Sequence, residues 1–444
     1  MNEPKATART TEIAPRLVRA IGLLGLTAIA VNGVIGSGIF ALPATVASLV
    51  GKASPAAYIV AALLIALIAA CFAEAGSLFE RTGGPYLYAR EAFGSFLAFE
   101  VGWMFFLSRL AAAAAISNAF ASYAGYFWSP LGNGIGRIAT ITLLVGGLTF
   151  INLIGIRYSS RAVNLLTAAK LIPLLLFIGV GLFFVDGSRY DFFALPEMNS
   201  LQQASLALIF AFGGFENATI PAEETKDPTA NLPVALLIAI ALTTALYILI
   251  QLVAQGTLPE IAADQTPLSS AGRIFLGSAG AAIIAIGAGL SASGSLSALA
   301  LVGPRILYAF AQQGQLPSCF ARVHLRYRTP HVAVIAFGII AWAVALYGNF
   351  AALVTVSAIA RLLFSATTCL AVPVLRRKMP AAPRRFKLPF GPVIPALAAI
   401  ISIWLLAGIT VSQAIAGAIA LVAGALFYFV FQNVDRGEPN DTNV

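Results

Sequence analysis

The stretch Thr27-Ala28-Ile29-Ala30-Val31-Asn32-Gly33-Val34-Ile35-Gly36-Ser37-Gly38-Ile39-Phe40 decides how the rest of the chain is read. It begins and ends as an apolar helix, yet it packs three glycines and a serine into the six residues 33–38. Glycine in a helix interior costs about 1 kcal/mol relative to alanine. One explanation is close helix packing through small residues. The sharper one is a break, in which Val34–Gly38 unwind and a second half-helix starts at about Ile39. A break leaves backbone N–H and C=O groups without intrahelical partners. Inside a membrane that is tolerated only around a polar cavity or a buried ligand.

A second stretch repeats the pattern. Phe210-Ala211-Phe212-Gly213-Gly214-Phe215-Glu216-Asn217 sets a Gly-Gly pair, a carboxylate and an amide deep in an apolar segment. Gly36 and Gly213 are 177 residues apart. Spans 1–5 and 6–10 then read as two five-helix repeats, each opening with a broken helix. The odd number of spans inverts one copy relative to the other, and paired interruptions of this kind point to a transporter binding site. A half-helix N-terminus suits a carboxylate, and the carbonyls of a half-helix C-terminus suit an ammonium. A free amino acid carries both groups. Ser37 is a candidate hydroxyl donor to the carboxylate, and Phe210, Phe212 and Phe215 are candidate aromatic lids.

Composition agrees. Of 444 residues, 59% are apolar and 10% charged, with a mean hydropathy of +0.89. A soluble chain of this length would need far more polar surface. A span takes about 20 apolar residues, and the apolar blocks supply twelve: 21–49, 55–79, 93–125, 137–156, 162–185, 201–222, 232–255, 275–313, 332–348, 352–375, 391–411 and 413–431. The expected class is an all-α polytopic membrane protein. Its expected parts are a tail over 1–20, repeats over 21–186 and 200–376, two peripheral helices over 391–431 and a tail over 432–444.

With the N-terminus inside, 20 of the 27 lysines and arginines fall on the cytoplasmic side. The positive-inside rule therefore places both termini in the cytoplasm, and the expected location is the plasma (inner) membrane. The polar segment 1–20 followed by about 30 apolar residues does not resemble a cleaved signal. Cys71, Cys319 and Cys369 suggest no disulfide framework, and Cys71 and Cys369 are expected as buried packing. No Cys/His metal spacing, phosphate-binding loop or nucleophile–base set stands out, so no cofactor, metal, nucleic-acid partner or enzyme activity is expected. A channel fits less well than a carrier, because broken helices around a midplane pocket favour a binding step. Oligomeric state is left open.

Three cations fall mid-span: Arg109, Lys170 and Arg361. Ionisable groups at that depth are functional-site candidates. A guanidinium stays protonated, so Arg109 and Arg361 are expected as fixed charges or gate elements. Glu74, Glu100 and Glu216 are the available acids, with pairing unassigned.

Five motifs in order resemble the amino acid–polyamine–organocation transporters: Gly36-Ser37-Gly38-Ile39-Phe40; Gly83-Gly84-Pro85-Tyr86-Leu87-Tyr88-Ala89-Arg90; Phe212-Gly213-Gly214-Phe215-Glu216; Pro221-Ala222-Glu223-Glu224-Thr225-Lys226-Asp227-Pro228; and Gly303-Pro304-Arg305-Ile306-Leu307-Tyr308-Ala309 through Pro317. The resemblance implies the LeuT-like fold and alternating-access amino acid transport. It places Ser37 and Gly38 on the substrate carboxylate, with Gly36 in the same turn. The carbonyls of Val34 and of residues near Phe210 and Gly213 fall on the ammonium, with Gly214 and Glu216 beside them. Phe210 falls at a gating position. Glu216 does not by itself choose a cationic substrate.

Lys170 matches the fifth-helix lysine of proton-coupled and of sodium-independent members, where its ammonium occupies the place of a sodium ion. Burial disfavours the charged amine, which makes Lys170 a candidate proton carrier; a permanently charged strut is the other reading. Its hydroxyl partner is expected in Ser291-Ala292-Ser293-Gly294-Ser295. The expected activity is proton-coupled uptake of neutral L-amino acids, with sodium-independent exchange as the alternative.

Overall fold

In the computed structural model, residues 17–432 are described apart from 37, 195, 265, 348–349 and 410. The described residues form α-helices and short 3₁₀ turns, with one isolated parallel bridge between Ile21 and Thr225. In chain order the helices are α1 (Leu23–Val34), α2 (Gly38–Val50), α3 (Ser54–Gly76), α4 (Pro85–Phe93), α5 (Ser95–Phe127), α6 (Gly134–Leu153), α7 (Ile156–Gly181), α8 (Met198–Phe212), α9 (Pro228–Thr257), α10 (Pro267–Gln312), α11 (His331–Tyr347), α12 (Phe350–Lys378), α13 (Val393–Ala407) and α14 (Val411–Gln432).

Both expected interruptions are present. The first span divides into α1 and α2; α1 closes with Ile35 N–H donating to Val31 O, and Gly36 N–H donates to Val34 O in a tighter turn. The sixth span stops at Phe212. Gly214 follows at φ +119°, a backbone conformation that favours glycine, and a 3₁₀ turn runs over Phe215–Thr219. Elsewhere the helices depart from the expected blocks where glycine intervenes. Gly94, at φ +94°, sets α4 apart as a separate short helix before α5. α10 starts at Pro267 rather than 275 and bends at Gly277, whose φ is +64°.

Eight helical stretches among the described residues are long and apolar enough to cross a membrane, and α1, α11 and α13 are shorter apolar helices. Leu24, Leu143, Ile172 and Leu426 point outward and are largely exposed, an apolar exterior suited to lipid. Inside, α1 lies among α7, α9, α10 and the 3₁₀ turn, while α8 packs on α2 and α3. The broken elements are thus the centre of the bundle. Cys71 and Cys369 are buried, as expected.

One end is fastened by ion pairs and backbone bonds. Arg305 donates through Nε and Nη2 to both oxygens of Glu224, at 2.7 and 2.8 Å, with both side chains fully buried. The Glu224 carbonyl accepts from Ala20 and Ile21 N–H, and Lys226 N–H donates to Ile21 O. Glu74 accepts a two-pronged bond from Arg376 and a third from Leu388 N–H. Arg19–Glu80 and Arg385–Asp227 add exposed pairs.

Candidate functional site: two broken helices and their fastenings

The end of α1 presents the carbonyls of Asn32, Val34, Ile35 and Gly36 with no helical continuation. Three neighbouring helices supply donors. Lys170 of α7 is fully buried, and its Nζ donates to Asn32 O at 3.1 Å and also to Ile35 O. Ser295 of α10 donates to the same two carbonyls, at 3.0 and 3.1 Å. Ser291 reaches Ile35 O and Gly36 O, each at 3.1 Å. Ser293 bonds within its own helix, to Gly289 O. The serines that share acceptors with Lys170 are therefore Ser291 and Ser295. Asn32 reciprocates by donating to Gly294 O at 2.8 Å, and a Cβ at Gly294 would strike that amide.

The second break is fastened by α5 and α12. Glu216 Oε1 accepts from Nη2 of Arg109 at 3.0 Å and lies 3.0 Å from Nε of Arg361. Its Oε2 accepts from Gly214 N–H at 2.8 Å, holding the unwound turn. Arg109 also donates to Asn217 Oδ1 at 2.6 Å and to Ser108, and its guanidinium lies 4.8 Å from the Phe105 ring centre. A charge buried this fully is expected to need such pairing and hydrogen bonds. The Arg361 guanidinium covers Gly213, where a Cβ would overlap it.

The two breaks meet. Gly33 lies against Gly214, and Tyr247 of α9 donates from its hydroxyl to Val34 O at 2.9 Å or to Ala211 O at 3.3 Å. The glycines divide by what surrounds them. Gly33, Gly213 and Gly214 are pressed against neighbours, whereas a Cβ at Gly36 would first meet Ser295 Oγ at 3.7 Å. One at Gly38 would meet only Leu42, at 3.4 Å. The looser of these glycines stand where the second half-helix starts, its early N–H groups lacking intrahelical acceptors.

Among the expected site residues, Val34, Gly36, Gly38, Gly213, Gly214, Glu216 and Lys170 converge here. Ser37 and the side chain of Phe210 lie outside the described residues. The Val34 carbonyl accepts from Gly36 N–H and from the Tyr247 hydroxyl, so a ligand would have to displace one of these donors. Phe212 and Phe215 are buried against Tyr247 and Phe72, at 4.9 and 5.5 Å between ring centres, a packing arrangement. Glu74 belongs to the fastened end. Glu100 lies away from the site against α14, within 3 Å of where a Cβ at Gly424 would fall. Tyr247, Asn32 and Asn217 were not among the expected residues; a tyrosine and two amides at span depth are the signal that marked them.

A family model described as amino acid permease matches residues 21–434. A methylthioribose transporter of Bacillus subtilis is 30% identical, over 97% of this chain and 96% of its own length. The branched-chain amino acid permease BcaP of the same organism is 30% identical over 94% and 93%. The human b(0,+)-type amino acid transporter 1 is 30% identical over 98% and 91%.

Proposed function

The chain belongs to the amino acid permease family, and from that premise we propose that it moves its substrate by alternating access around the two broken helices, with Lys170 carrying the coupled proton. It is a multi-pass membrane protein that transports amino acids. In our reading, spans 1–5 and 6–10 are inverted repeats over 21–186 and 200–376. Two peripheral helices over 391–431 complete twelve spans, with both termini cytoplasmic in the plasma membrane.

One observation carries the proposal. Lys170 places its ammonium on the carbonyls that end α1, in the same unwound turn as Gly36 and just before Gly38, where α2 starts. The substrate carboxylate would take the N–H groups that open α2, and its ammonium would take the carbonyls ending α8, with Val34 O joining them where Tyr247 turns its hydroxyl to Ala211 O. Movement of α1 on substrate binding would then be felt at Lys170, because the same turn bonds both. Lys170 donates to neutral carbonyls, and Ser295 and Ser291 bond to those carbonyls as well. The site is therefore not left bare when the amine gives up its proton. That arrangement favours a proton carrier over a fixed strut.

The test is uptake of a labelled amino acid mixture into purified proteoliposomes that hold no internal amino acid, under an inward proton gradient. Concentrative uptake that an ionophore abolishes is the expected result. Uptake that appears only after preloading with amino acid would make the protein an exchanger and Lys170 a fixed cation. Uptake of methylthioribose alone would overturn the amino acid reading.

A further inference from the structure

Between Asp264 and Asp435 the chain has no aspartate or glutamate. Arg305, Arg376 and Arg385 of this stretch find their carboxylates earlier in the chain, at Glu224, Glu74 and Asp227. Arg322, Arg326 and Arg328, in the loop from α10 to α11, pair with no carboxylate among the described residues. Arg322 borders a surface cavity of about 540 Å³, whose lining includes Ser318, His324, Leu325 and His331. His324 Nδ1 accepts the Arg326 and Tyr327 N–H groups at 3.2 and 3.3 Å, which leaves the proton on its other ring nitrogen. His331 Nδ1 is buried and has no hydrogen-bond partner among the described residues. The cavity thus offers positive charge and N–H donors with no acid to answer them. That suits an anion with several oxygens, such as a phosphate group.

His331 also opens α11, and Ile335, Ile339 and Trp342 follow it at steps of four, four and three residues, on one face of the helix. These three, with Gly146 and Phe150 of α6, line a groove of about 250 Å³ between the two helices. Trp342 closes its far end, with Nε1 donating to Thr142 Oγ1 at 2.9 Å. Phe150 and Ile339 are largely exposed, so the groove opens outward. At Gly146 a Cβ would meet no atom within 4 Å. From His331 to Trp342 the stripe rises about 17 Å at 1.5 Å per residue, close to half of a ~30 Å hydrocarbon core. We propose that cavity and groove form one site for an anionic phospholipid, with its phosphate on Arg322, His324 and His331 and an acyl chain between α6 and α11. A basic pocket between spanning helices suits such a headgroup. A free phosphate would leave the groove unused, and an uncharged lipid would leave the cations unanswered. With both termini cytoplasmic, the site lies in the inner leaflet.

The experiment is native mass spectrometry of delipidated protein titrated with dioleoyl phosphatidylglycerol or dioleoyl phosphatidylcholine. One basic residue beside an anionic headgroup is worth about fivefold in affinity. The wild type should therefore bind phosphatidylglycerol about tenfold more tightly than phosphatidylcholine. Arg322→Gln should cut that preference about fivefold and leave phosphatidylcholine binding as it was. Gly146→Leu, which fills the groove, should weaken both lipids alike. Arg377→Gln, at the end of α12, should change neither. The Arg322 side chain makes no hydrogen bond or ion pair among the described residues and Gly146 has room for a side chain, so both variants should fold. Equal affinity of the wild type for the two lipids would overturn the proposal, and that comparison needs no variant. Displacement of phosphatidylglycerol by inorganic phosphate would reduce the site to one for a free anion and overturn it too. So would an Arg377→Gln effect as large as that of Arg322→Gln, which would show only the general pull of a basic surface. Unchanged lipid binding in Gly146→Leu would leave the groove to some other occupant and overturn the placement of the chain.

Discussion

Gly33 of α1 and Gly214 beyond α8 touch backbone to backbone, so that a Cβ on Gly33 would overlap the Gly214 carbonyl oxygen and one on Gly214 would overlap that of Gly33. The contact is between main chains, so neither side can relieve a clash by changing rotamer. Gly33→Ala should destabilise the protein by about 1–3 kcal/mol, the usual cost of overpacking. Gly214→Ala should cost more, because φ +119° is also unfavourable for alanine. Thermal unfolding in detergent checks both. A variant as stable as the wild type would mean that the breaks can separate freely.

Lys170→Ala should abolish the pH dependence of transport while leaving the protein folded. With one proton each, Ser295 can serve the Asn32 carbonyl while Ser291 serves that of Ile35. Uptake measured across a pH series in proteoliposomes, beside a melting curve, separates the two effects. A wild-type pH response in this variant would remove the proton-carrier role.

Tyr247→Phe should cost about 0.5–1.5 kcal/mol by removing one buried hydrogen bond, since Val34 O keeps its bond from Gly36 N–H. A hydroxyl has one proton, so at any moment Tyr247 serves either Val34 or Ala211, at 2.9 and 3.3 Å. Its loss should also weaken apparent substrate affinity, because the position of the Val34 carbonyl is then less restrained. Uptake kinetics and melting temperature together check this. Unchanged values for both would reduce the hydroxyl to a bystander.

Arg305→Ala should lower stability by about 3–5 kcal/mol, the cost of stranding a buried carboxylate. Glu224 loses both of its guanidinium bonds and stays fully buried in the same place. Pairing Arg305→Leu with Glu224→Leu should recover most of the loss, since the penalty lies in the unpaired charge. Thermal unfolding of the single and double variants is the measurement. A double variant no better than either single would place the cost in packing.

Both breaks were legible from the chain because glycine clusters and polar residues stand out against apolar helix. Lys170 was legible for the same reason, as a cation at span depth. The partners of Arg109, Arg361 and Glu74 were not, because pairing depends on how α3, α5, α12 and the turn after α8 align in depth, and a single sequence does not carry that alignment. Tyr247 escaped notice because an aromatic in an apolar helix reads as packing, and only the folded chain brings its hydroxyl to two carbonyls. The bend at Gly94 was missed because it is an isolated glycine, and the one at Gly277 because it falls at the very start of the apolar block over 275–313, where a helix end rather than a bend is expected. The fastened end was partly visible as the block from Pro221 to Pro228, but its link to Ile21 is main-chain bonding, which leaves no trace in residue type.

Among the described residues Lys170 donates to backbone oxygens, those of Asn32 and Ile35, and this has an evolutionary consequence. No point substitution can delete a carbonyl, so the receiving half of this arrangement is inherited unchanged through almost any drift in sequence. What can vary is the donor set: one amine and two hydroxyls on α7 and α10. A descendant could change the donors that fasten this turn through those three codons alone, while the carbonyls that receive them stay as they are.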